Sequence, residues 1–412
     1  SKDTNAVVTP ASPASGAGKG NAPESAGPTD AVRGELRLHL SKISAAEREI
    51  AALLAAVPDP PQAYIWTEPS PQPPATRVLI RGNPKRPGDA VDPAAPAIFS
   101  GCPIPTPMSD ERTSHRRLAF ATWIASSTNP LTARVIVNRV WQQHFGVGLV
   151  RTASDFGLMG DEPTHPELLD WLADWFVRDA AWSLKKLHRL ILTSNAWRMS
   201  RGLRTETFEV AGKNADPENR LLSHLPHRRL EAEAIRDSIL AVGGHLNPAM
   251  FGPAVFPAIP DAAIEANTDK HSIWKPSPET EALRRTIYVF IKRGLVVPML
   301  EVLDLCDTVN STARRQVTTV APQALTLFNG DFVNGQARYF AARLVREAGS
   351  GHSKRIDLAF RLALARPPSA SEREAMMVFL EDKAPSADSG GGRGLEEMCR
   401  VILNLNEFVY PD

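Results

Sequence analysis

Asn138, Arg139, Trp141 and His144 lie within one short run, NRVWQQH, and each carries a side chain that could do chemistry. Asn138 and Trp141 are three residues apart, as are Trp141 and His144, so a helix would set them on neighbouring parts of one face. An indole platform beside amide, guanidinium and imidazole groups could hold a sugar or an anion. The same residues could instead form a core tryptophan whose polar neighbours tie down loops through backbone carbonyls, since buried polar groups find partners. Asp155, Asp161, His165 and Glu167 follow in the sequence. Carboxylates and an imidazole in one region could transfer protons or hold a metal. The spacing D-x5-D-x3-H, however, matches no zinc or calcium signature. Thr164-His165-Pro166-Glu167 also fits a T-x-x-E capping box, which would already employ Glu167.

A further candidate is the run RRLEAEAIRD (228–237). Arg229 and Glu233 stand at i,i+4 and Glu233 and Arg236 at i,i+3, so an ion-pair network along one helix face is the simplest expectation. Arginine pairs begin at 116, 228, 284 and 314. The planar fork of arginine suits carboxylate, sulfate and phosphate, but the sequence does not say which pairs meet. No nucleophile elbow, P-loop, dinucleotide fingerprint or H-E-x-x-H is present. Cys102, Cys306 and Cys399 form no C-x-x-C or haem-attachment pattern. They read as buried thiols, with a Cys306–Cys399 disulfide as the alternative. No metal and no cofactor are expected.

The elements that must position these groups are mostly helical. Residues 34–56 keep Leu36, Leu40, Ile43, Glu47 and Ile50 at helical spacing. Asn129-Pro130 reads as an N-cap and first helical residue, and the helix behind it stops at Gly146. After Pro166, Leu168, Leu169, Leu172, Trp175 and Phe176 form an apolar stripe. Ser183 caps the next helix, and 227–244 closes a further one on a glycine pair. Helices are also expected over 318–349, broken near Asn329-Gly330, and over 353–366, 371–383 and 394–408. RVLIRG (77–82) and RRTIYVFIKRG (284–294) read as strands. The fold class is therefore mainly α: a multi-helix globular body with a few short strands and long Pro-rich loops.

Residues 1–33 are a flexible Ala/Ser/Pro/Gly linker by composition. Residues 34–115 are a helix and an extended Pro-rich lead-in, and 116–412 are the helical body, with a polar loop insertion at 245–283. The 35 prolines of the chain exceed the usual frequency of about 5%, and many sit in the lead-in. With 47 basic and 46 acidic residues among 412, the chain lacks the basic surface that counterion-driven nucleic-acid binding requires. No apolar run is long enough to span a membrane, and no signal-peptide pattern opens the sequence.

Many ordered phrases carry a family resemblance. They include NPLTARVIVNRVWQQHFGVGLV, SDFGLMGDEPTHPELLDWLADWF, WSLKKLHRLILTSNAWR, DPENRLL, RRLEAEAIRDSIL, RRTIYVFIKR, VTTVAPQALTLFNGDFV and MCRVILNLNEFVY. Over residues 76–412 the chain resembles the planctomycete-specific domain one family, a bacterial family of unknown function. Where that family carries a Phe-Asp-x-Pro-Asp turn, this chain has Leu303-Asp304-Leu305-Cys306-Asp307. The resemblance implies the C-terminal part of a larger exported, cell-envelope protein, accompanied by a second such domain and in some cases a cytochrome-c-like domain. It transfers no catalytic residues. The sequence thus favours a non-catalytic interaction or binding module whose partners are neighbouring domains, another envelope protein, or a glycan or anionic ligand. A carbohydrate-active enzyme or glycan-binding domain with a pocket near residues 138–165 is the alternative, with an accessory to a haem electron-transfer protein as a third.

Overall fold

A computed structural model describes residues 30–56, 65–99, 101–199, 216–265, 274–382 and 393–411. Most of the expected linker, residues 383–392, and 266–273 within the polar insertion lie outside them. The protein is mainly α, with fifteen helices and one pair of short strands among the described residues.

The chain divides into two units, the first comprising 1–73 and 110–113. Its principal element is α1 (Asp30–Ala56). The expected apolar stripe forms along it, but Leu36, Leu40, Ile43 and Ile50 are each more than half exposed.

The second unit comprises 74–109 and 114–412. It begins with an antiparallel pair, β1 (Thr76–Leu79) and β2 (Pro87–Val91), in which Thr76 faces Val91 and Arg77 faces Ala90. After α2 (Arg116–Ile124), Asn129 Oδ1 accepts from the amides of Leu131 and Thr132 at 3.0 and 3.2 Å. Those bonds satisfy amides at and just ahead of the helix start, but α3 (Thr132–Phe145) begins later than expected, with Leu131 as its N-cap and Pro130 in the turn before it. Gly146, at φ +80°, ends the helix, a left-handed cap that glycine adopts freely.

The start of α4 (Pro166–Arg178) differs from expectation. The capping box does not form. Pro166 takes the first helical position, which needs no N–H, so His165 becomes the N-cap and its side chain makes no cap bond. Thr164 is turned away, its hydroxyl donating to the Leu149 carbonyl at 3.4 Å. The start of α5 (Leu184–Leu192) is as expected, with Ser183 Oγ accepting the Lys186 amide at 3.4 Å.

The helix α6 (Ala232–Gly243) ends on Gly244 at φ +80°. In the polar insertion stand the short α7 (Asp261–Glu265) and α8 (Glu279–Ala282). The expected strand at 284–294 is replaced by a turn at Thr286–Tyr288 and isolated bridges. The reason is local. The amide and hydroxyl of Thr286 both donate to Asp237 Oδ1, at 2.7 and 2.6 Å, which draws the backbone onto α6 rather than along a neighbouring strand. There follow α9 (Pro298–Val302), α10 (Ala321–Asn329), α11 (Asp331–Ala348), α12 (His352–Leu364), α13 (Ala370–Asp382), α14 (Arg393–Leu403) and α15 (Asn406–Val409).

Two hydrophobic clusters hold this unit. In one, α3, α4 and α5 pack through Val137, Trp141, Phe145, Leu172, Phe176 and Leu187. In the other, α11 packs on α6, α12 and α14 through Ile235, Ile239, Phe340, Leu344, Phe360 and Ile402. Burying each such side chain stabilises the fold by roughly 1.5–3 kcal/mol. All three cysteines are free thiols, and among the described residues no helix is long and apolar enough to cross a membrane.

Candidate functional site

The candidate polar residues take separate positions. Asn138 is fully buried, and its amide clamps the Val150 backbone, donating to the carbonyl and accepting from the N–H, both at 2.9 Å. Trp141 is 6% exposed and stacks on Phe145 with ring centroids 4.3 Å apart. Arg139, on the same helix, is exposed. His144 Nε2 lies 2.8 Å from His188 Nδ1, with the Trp197 ring edge-on. Burial, and then the nearby His188 and Arg228, push the His144 imidazole below its ordinary value. Asp155 is exposed and accepts the Gly157 amide at 2.9 Å, and His165 Nδ1 lies 3.0 Å from the Thr164 hydroxyl. Trp141 borders a small cleft of about 70 Å³ with Arg151, Thr164 and Glu218. Asn138, Arg139, His144, Asp155 and His165 border neither it nor the larger cleft described next. Among the described residues no group of three or more His, Cys, Asp or Glu could hold a metal.

What the fold does bring together is arginine. A cleft of about 300 Å³ is lined by the Arg228–Arg229 and Arg314–Arg315 pairs, with His227 and Glu231 beside them and Phe145, Leu303 and Tyr410 among its apolar residues. That volume is at the lower end for a ligand site. It opens at the seam between the two hydrophobic clusters, where Phe145 belongs to one and Leu303 to the other.

Each wall has a physical cause. Arg228 lies across the end of α3, donating to the carbonyls of Gln143 and His144, where a cation also meets the negative end of the helix dipole. Gly146 makes room for it, because a Cβ there would stand 3.0 Å from Arg228 Cδ. Arg229 is 8% exposed. It donates to Asp304 Oδ2 at 2.6 Å, to the Leu303 carbonyl at 3.1 Å and to the Thr318 carbonyl at 2.9 Å. Asp304 also accepts from the Thr318 amide and hydroxyl, both at 2.8 Å, and from Gln323 at 3.1 Å. Burial pushes the Asp304 carboxyl up, but the Thr318 amide, Arg229 and the Thr318 hydroxyl outweigh it and hold it below the usual carboxylate range. This network fixes the segment that carries Arg314 and Arg315 against the Arg228–Arg229 segment. Arg315 makes a bidentate pair with Glu233 at 2.6 and 2.9 Å, and Gln142 Nε2 donates to the Ala313 carbonyl at 3.2 Å.

The intrahelical network expected within RRLEAEAIRD is therefore replaced by long-range pairs. Because α6 starts at Ala232, Arg229 precedes the helix and cannot face Glu233 along it. Arg236, buried, donates instead to the carbonyls of Arg284 and Ala282 and to Thr286. Desolvation lowers its guanidinium to about 10, so it stays charged at neutral pH. The Arg284 side chain serves the fold as well, holding the 249–253 loop by its carbonyls and lying over the Tyr288 ring at 4.1 Å.

Arg314 is exposed and makes no ion pair among the described residues. The charges of Arg229 and Arg315 are matched by Asp304 and Glu233. Guanidinium donors dominate the polar lining, and their chemistry is to hold oxyanions. The paired arginines were visible in the sequence. Their meeting was not, because Asp304 and Glu233, which steer them, lie 75 and 82 residues from their partners.

No curated protein and no solved structure matches the chain. A family model does match, over residues 116–380, which holds α2 to α12, most of α13 and all four cleft arginines, and by it the chain belongs to PSD1, a protein family of unknown function (DUF1553).

Proposed function

We propose that this chain is a non-catalytic binding module and that its arginine-walled cleft takes an acidic group of a macromolecular partner. The observation that carries the reading is the convergence of Arg228–Arg229 and Arg314–Arg315 on one cleft. Arg314 supplies charge that no carboxylate of the described residues offsets, and the apolar lining supplies contact area for a side chain or backbone beside the anion. The wider setting, a larger exported envelope protein with neighbouring domains as partners, rests on the sequence resemblance. A glycan ligand has less support: Trp141 turns its ring onto Phe145, and the cleft it borders is well below the roughly 300 Å³ at which ligand pockets begin.

A fluorescently labelled hexaglutamate peptide tests the cleft. The chain should bind it in a salt-dependent way. Arg314→Glu should weaken binding by at least roughly tenfold, about 1.4 kcal/mol, with the fold intact by circular dichroism. Absence of salt-dependent binding, or equal binding by the variant, would rule the reading out.

A further inference from the structure

The loop between Leu149 and Thr164 displays two large apolar side chains to solvent. Leu158 and Met159 have relative exposures of 105% and 90%. The loop that carries them is tightly built. Its ends meet where the Thr164 amide donates to the Leu149 carbonyl at 2.8 Å. The Thr152 hydroxyl donates to the Asp155 carbonyl at 2.7 Å and accepts the Asp161 amide at 2.9 Å. Asp155 Oδ1 takes the Gly157 amide, and the Gly160 amide reaches the Gly157 carbonyl at 3.0 Å. A Cβ on Gly160 would lie 2.2 Å from the Asp155 carbonyl oxygen, so the turn excludes any other residue there. A compact closed loop of this kind presents its tip without a large ordering cost on binding.

The tip is also acidic. Between Thr152 and Val177 the chain has six carboxylates and no lysine or arginine. Asp155, Asp161 and Glu162 flank Leu158 and Met159 directly. That charge disfavours an anionic lipid surface and calls for an apolar socket rimmed by cations. The chain itself contains such a socket, with Val147, Val317 and Tyr410 as its accessible apolar lining and Arg228 and Arg314 at its wall.

We propose that the Leu158–Met159 tip of one copy enters the arginine-walled cleft of a second copy. The proposal rests on the reading of the cleft as an acid-binding site and names the partner. The contact joins two different patches. It closes into a dimer if each tip reaches the other's cleft, and otherwise extends as a chain of copies.

Sedimentation velocity on the full chain over a concentration series tests it. The mean mass should rise with concentration. It should fall between ~0.1 and ~1 M salt, where the Debye length shrinks from about 10 to about 3 Å. The double variant Leu158→Ser/Met159→Ser keeps the cleft, and Arg314→Glu keeps the tip. Each alone should remain monomeric. An equimolar mixture should form a complex of one tip with one cleft. All three substitutions are at exposed positions, so matched thermal midpoints will show that the fold is retained. A wild type that stays monomeric throughout, or association that either variant leaves unchanged, would overturn the proposal. If the wild type stays monomeric but still binds hexaglutamate through Arg314, the second copy is excluded as partner and the cleft keeps its function.

Discussion

At the residue scale the strongest case is Asp304. It sits at φ +62°, a left-handed conformation rare for a non-glycine residue. Such strain persists where surrounding bonds over-determine it, and here Arg229, Thr318 and Gln323 all donate to its carboxylate. Asp304→Asn keeps the shape but leaves the Arg229 guanidinium buried without its counter-charge. We expect a loss of about 3–5 kcal/mol in urea denaturation, with weaker hexaglutamate binding because the 314–319 segment loosens. The folded Asp304 carboxyl lies below its ordinary value. Its stabilisation is therefore complete above about pH 4, the unfolded value, and is lost as pH falls through the depressed folded value. The gap between wild type and Asp304→Asn should hold constant from neutral pH down to that point and then close. His144 acts in a different window. Its folded value is depressed by burial, His188 and Arg228, so folding favours the neutral ring. Stability should begin to fall as pH drops below about 6.5. His144→Gln should remove that portion of the pH dependence between pH 7 and 5, and an unchanged profile would assign the loss to other groups.

At the element scale, much of the fold was legible because helix ends obey local chemistry. Ser183, Gly146 and Gly244 punctuate the chain where their side chains or φ freedom predict, whereas Asn129 ties the turn ahead of α3 and the helix itself starts only at Thr132. The readings that failed did so through tertiary competition. Thr164 found the Leu149 carbonyl instead of a helix amide, and Thr286 found Asp237 instead of a strand partner. The candidate site was legible in its residue types alone. Arginine pairs could be seen, but nothing local signals that Asp304 reaches Arg229. Gly146 joins the two levels, since it ends α3 and admits Arg228. Gly146→Ala forces an L-residue into the left-handed region, at roughly 1–2 kcal/mol, and pushes Arg228 from the helix end. It should lower the thermal midpoint and weaken hexaglutamate binding together. Lower stability with undiminished binding would show that Arg228 is not needed in that position.

At the scale of the whole molecule, near-neutral composition conceals sorted charge: a carboxylate-rich loop at 152–162 and an arginine-walled cleft. Bulk charge, 47 basic against 46 acidic residues, could not show this separation. The cleft belongs to neither hydrophobic cluster alone. One rim comes from the end of α3 and the other from the segments around Arg229 and Arg315, and the two are tied by Arg228 and Gln142. Elements with separate cores can open with different free energies. Leu187 is fully buried in the cluster of α3 to α5. Its truncation to Ala should cost about 2–5 kcal/mol. Hydrogen exchange should then lose more protection over 132–192 than over 321–403, and hexaglutamate binding should fall with it, because one rim of the cleft is lost. The reciprocal change, Phe340→Ala in the other cluster, should reverse the exchange pattern while also weakening binding. Equal loss of protection across both clusters in either variant would mean that the seam couples them into one cooperative unit, and that the cleft is as rigid as the cores beside it.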